Sequence, residues 1–127
     1  MAGPTADALR DALDALSDRL DGLIDPLPPG DPVRVRLEGA QNSIEDASSA
    51  VDAQSIETLL TNNADLQRIK DLTAKVNASA AVIAASQANV AKIVGIADKA
   101  LALGNAITAG GVGGILSAVA ALQGSIT

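Results

Sequence analysis

The sequence predicts an all-α protein. Apolar residues recur at alternating spacings of three and four, alanine supplies 26 of the 127 residues, and the clusters of Pro and Gly fall between the periodic stretches. The expected architecture is an elongated antiparallel helical hairpin or bundle of three to five helices, joined along coiled-coil-like Ala, Leu and Val seams. At this length a single helical unit accounts for the whole chain.

A first helix is expected over 5–25, with Thr5 as N-cap and a seam of Leu9, Leu13, Leu16 and Leu20 continued by Leu23 and Leu27. Asp7, Asp11, Asp14, Asp18, Asp21 and Asp25 follow the same spacing two residues earlier, so the helix has a leucine edge and an aspartate edge. The aspartates read as a solvated face. Calcium sites gather oxygens around one point, whereas a helix spreads them along its length.

Pro26, Pro28, Pro29 and Pro32 with Gly30 make 26–32 a stiff connector that cannot continue the helix. Asp31 as N-cap and Pro32 at the first helical position then start a second helix, expected over 32–62, with Leu37, Ile44 and Val51 on its seam and Ala40 and Ala47 between them. Asn62 and Asn63 supply the next break.

The longest pattern runs through Leu66, Ile69, Val76, Ile83, Gln87, Val90, Val94 and Leu101, predicting a helix over 64–109 that bends near 95 or 104, where Gly95 and Gly104 stand. The stretches 32–62 and 64–94 are of equal length and are expected to pair as an antiparallel hairpin. Gln87 is a polar residue on an apolar seam and reads either as a register-fixing group or as the edge of a wide Ala-rich contact. Gly110, Gly111, Gly113 and Gly114 predict a hinge over 110–114, with close helix contact as the alternative, and a short uncharged helix is expected over 115–123.

Composition narrows the chemistry. The chain has no Cys, His or aromatic residue, which removes thiolate and imidazole ligands, nucleophile–base pairs of the usual kinds and any base-stacking platform. No catalytic residue, cofactor or metal site is expected, and no nucleic-acid partner suits a net charge of −6 with scattered Lys and Arg. Asn77 with Ser79 matches a glycosylation acceptor pattern by chance in mid-helix, and the glycines after Ala109 lack the Lys and Ser/Thr of a phosphate loop.

Charge is segregated along the chain. Fourteen of 15 acidic and seven of nine basic residues precede Val76, and the 28 residues from Ala100 to Thr127 carry none. Small side chains and the missing aromatics predict a thin core that leaves apolar surface for a partner. The expectation is therefore a non-enzymatic structural protein that self-associates as a homo-oligomer, with residues 100–127 buried in a subunit contact. Another helical protein or a lipid surface engaging 100–127 is the alternative partner. The N-terminus has neither the basic segment nor the apolar run of a cleaved leader, so a cytoplasmic location or export without a leader is expected.

Overall fold

In the computed structural model, residues 4–53, 56–83 and 89–126 are described, and every element among them is helical. Five helices of 15 to 22 residues, α1 (Pro4–Ile24), α2 (Pro32–Ala53), α4 (Asn63–Ile83), α5 (Val90–Ala109) and α6 (Val112–Ile126), are joined by a single-turn helix, α3 (Ile56–Leu59).

The helices close into a ring. α1 packs on α2, α2 on α5, α5 on α6, α6 on α4, and α4 returns to α1, with α3 set against α1. Each helix turns one aliphatic stripe inward, and the stripes merge into one core whose largest fully buried side chains include Leu9, Leu20, Leu37, Ile44, Ile69, Leu72, Ile93 and Leu103. The folded chain exposes 6050 Å², close to the roughly 6200 Å² expected of a compact monomer of 12.6 kDa. The expectation of a thin core is corrected by that figure: closing the ring lets each apolar stripe meet two neighbours without a second chain.

Local chemistry sets the helix ends. Asp31 caps α2, its Oδ1 accepting from the Val33 amide at 2.8 Å, and Asn62 does the same for α4 through the Ala64 amide at 2.8 Å. Arg34 reaches back from the first turn of α2 and its Nη1 donates to the carbonyls of Ile24, which also accepts from the Leu27 amide, and Leu27, tying α2 to the end of α1. Gly110 ends α5 with φ of 80°, a left-handed conformation suited to glycine, and its amide donates to Ala106 and Ile107.

Three boundaries differ from the sequence reading. Thr5 lies inside the first turn and is buried, because α1 starts one residue earlier at Pro4. The stretch 32–62 holds two helices, α2 and α3. The stretch 64–109 also holds two, and Gly95 and Gly104 both stand within α5, not between helices.

The pairing differs as well. α1 and α2 form the antiparallel hairpin, while the most extensive contact of α2 is with α5. Gly39 and Ser43 of α2 lie level with Val94 and Asp98 of α5, and Ala47 and Ala50 lie level with Gly104, so α2 and α5 run parallel. A straight 64–109 helix could not pack on α1 with one half and on α2 with the other. Tertiary pairing overrides the continuous heptad pattern.

Candidate functional site

The residues singled out as a seam separate by helix. Leu9, Leu13, Leu16, Leu20, Leu37, Ile44, Val51, Ile69, Val76 and Val90 are buried in the core, and Leu66 is partly buried against it. Gln87 lies outside the described residues, as does the side chain of Ile83. In α5 the register is different from the one expected: the buried positions are Val90, Ile93, Ile96, Ala97, Ala100, Leu103, Gly104 and Ile107, while Val94 and Leu101 are only half-buried. The heptad positions that continue from Ile69 and Val76, namely Val90, Ala97 and Gly104, stay buried in α5, while the alternate positions Val94 and Leu101 give way to Ile93, Ile96, Ala100 and Leu103.

The glycine cluster also divides. Gly110 is the C-cap of α5, Gly111 precedes α6, and Gly113 and Gly114 belong to the first turn of α6. The turn between the helices is therefore Gly110 and Gly111, narrower than the expected 110–114. A Cβ at Gly114 would meet the Ala106 Cβ at an ordinary 3.9 Å, and one at Gly111 or Gly113 would meet nothing within 4 Å. The close helix contact lies elsewhere, at Gly104, where a Cβ would come within 2.9 Å of the Ala47 Cα. Sequence reasoning missed it because a lone glycine in a helix reads as a bend, and nothing nearby in the chain announces Ala47.

The aspartate edge is largely exposed, and two of its residues, Asp14 and Asp21, also accept hydrogen bonds from α2. Ser48 donates to Asp14 at 2.6 Å, Ser17 to Glu45 at 3.2 Å, and Gln41 to Asp21 at 2.6 Å, so three rungs cross from α1 to α2 in antiparallel order. Gln41 also donates to the Ser17 carbonyl at 2.9 Å. Asp11, Asp14, Asp18, Asp21 and Asp25 are all exposed, and Asp7 pairs with Arg10 at 3.5 Å. The signal in the sequence was the spacing of Gln41, Glu45 and Ser48, which matches that of the aspartates across the seam.

Two surface features remain. The first is an open depression of about 310 Å³ between α2 and α5, lined by Val35, Arg36, Gly39, Ala40, Ser43, Val94 and Asp98, where small side chains leave room. The second is the wall made by the C-terminal half of α5 and all of α6, which has no charged residue after Lys99. On α6 the large apolar residues Ile115, Val119, Leu122 and Ile126 point into the core, and the outward stripe is Gly113, Ser117, Ala120 and Gly124.

No helix among the described residues is long and apolar enough to cross a membrane. Among those residues no three acidic side chains gather in a way that could hold a metal ion. Compared with known proteins, the chain matches no family model, no curated protein and no solved structure.

Proposed function

We propose that this protein is a non-enzymatic assembly module that self-associates through the uncharged wall formed by α5 and α6. The observation that carries the reading is the outward stripe of α6, where Gly113, Ser117, Ala120 and Gly124 stand exposed with no charge beside them on the helix. Such a stripe lets a second backbone approach to the short end of the ~8–10 Å range of helix packing, and small side chains lose little rotamer freedom when covered. The acidic first helix lies away from α6 in the ring, separated by α4 on one side and by α2 and α5 on the other, and keeps that side hydrated.

The same arrangement weighs against the lipid-surface alternative. Bilayer binding gains from exposed large apolar groups, and the outer face of α6 offers mainly small ones, with Val112 at 40 % exposure its largest.

Light scattering across a concentration series tests the reading. The native chain is expected to exceed the monomer mass, Ala120→Arg on the outward stripe to lower that mass, and Ala15→Arg on exposed α1 to change nothing. A native chain that stays monomeric at millimolar concentration overturns it. Flotation of the intact chain with anionic liposomes separates the alternative, since binding there would favour the lipid surface.

A further inference from the structure

We infer that α6 is an exchangeable helix: it swings out about Gly110 and Gly111 and takes the place of α6 in a second copy of the chain, which returns its own. The inference goes beyond contact through the outward stripe, because the surfaces that meet are the buried ones.

Three observations carry it. First, α6 is held by its apolar stripe between α5 and α4, and its contact with α4 is the least extensive of the five that close the ring. Leaving that seam breaks no ion pair, as α6 has no charged residue.

Second, the turn into α6 is only Gly110 and Gly111, and Gly110 is held at φ of 80°. A two-residue turn is a short lever, and short hinges invite exchange between copies. Bringing Gly110 and Gly111 to helical torsions would join α5 and α6 into one helix spanning roughly 55 Å, at ~1.5 Å per residue from Val90 to Ile126.

Third, the stripes of the two helices stay in phase across the turn. Ile115, Ala118 and Leu122 follow Ala97, Ala100 and Gly104 by eighteen residues each, which is about five whole turns, and all six are buried. A straightened helix would therefore present one continuous apolar face. In the pair, α6 would continue in the direction of its own α5 and lie antiparallel to the α5 of the other copy. That places the two bundles end to end about a two-fold axis through the hinges, a closed and self-limiting arrangement.

The chain contains no cysteine, which makes a direct test available. A Cβ at position 114 stands 3.9 Å from the Ala106 Cβ, within the ~3.5–4.5 Å a disulfide requires. In a continuous helix these positions lie ~12 Å apart, so there the bond could form only between copies. The full chain carrying Ala106→Cys and Gly114→Cys is refolded under reducing conditions at low and high concentration, oxidised, and run on a non-reducing gel.

A covalent dimer that grows with refolding concentration is expected. Adding Gly110→Ala, which penalises the left-handed turn, should raise the dimer-to-monomer ratio by about tenfold per hinge. Covalent monomer alone at every concentration, with either hinge, overturns the exchange. Contact through the outward stripe leaves the 106–114 bond within each chain, so it gives monomer on this gel even where light scattering reports an oligomer. Failure of one reading is thus distinguishable from failure of the other.

Discussion

A methyl group at Gly104 would sit 2.9 Å from the Cα of Ala47, whereas one at Gly95, about two and a half turns earlier in α5, would meet nothing within 4 Å. The same substitution should therefore have opposite signs at the two positions. Gly95→Ala gains helix propensity and is expected to stabilise the protein by about 0.5–1 kcal/mol. Gly104→Ala makes the same gain but forces α2 away from α5, and should destabilise by about 1–2 kcal/mol net. Urea unfolding of both variants checks this, and stabilisation by both would mean that α2 and α5 are not in close contact. Arg34 is a second residue whose role is long-range. Its hydrogen bonds to the carbonyls of Ile24 and Leu27 join the end of α1 to the start of α2, so Arg34→Ala should cost about 1–2 kcal/mol. Its ion pair with Glu38 at 3.2 Å lies near the surface, and Glu38→Gln should change stability by less than ~0.5 kcal/mol. Neither role was legible in the sequence. The Asp31–Pro32 start signal was, because capping needs only neighbours in the chain, whereas Gly104 and Arg34 act on residues brought to them by the fold.

Helices whose neighbours are set locally were legible, and those whose neighbours are set by topology were not. The α1 seam of Leu9, Leu13, Leu16 and Leu20 is buried at the spacing that the sequence displays, and the proline-rich connector turns the chain so that α2 lies antiparallel beside it. Between Ile83 and Val90 there is neither Pro nor Gly, so no breaker marked the separation of α4 from α5. What divides them is that α4 packs on α1 while α5 packs on α2. The α1–α2 hairpin carries its own prediction through the rung from Ser48 to Asp14. A double-mutant cycle with Asp14→Ala and Ser48→Ala should return a coupling of about 0.5–1.5 kcal/mol, the range of one hydrogen bond. Asp14→Asn keeps an oxygen for the Ser48 hydroxyl and should shift the urea midpoint little. A coupling indistinguishable from zero would mean that the rung is broken in solution.

At the scale of the molecule, ring closure decides how stability is distributed. The five main helices each pack on two neighbours, so no helix can leave without uncovering both. α6 contributes four large buried side chains, Ile115, Val119, Leu122 and Ile126. At about 1.5–3 kcal/mol for each such burial, their loss amounts to roughly 6–12 kcal/mol, comparable with the ~5–15 kcal/mol that holds a whole domain folded. A chain ending at Gly111 is therefore expected to lose cooperative unfolding altogether, with flattened thermal transitions in circular dichroism and exposed apolar surface that binds a hydrophobic dye. Supplying a peptide of residues 112–127 should restore a sharp transition, because the vacated position between α4 and α5 is complementary to it. Cooperative unfolding of the shortened chain near the native midpoint without the peptide would make α6 an appendage and not a member of the ring. Lipid binding is for the same reason measured on the intact chain: removing the uncharged C-terminal segment removes part of the core, and any change in binding would then report unfolding.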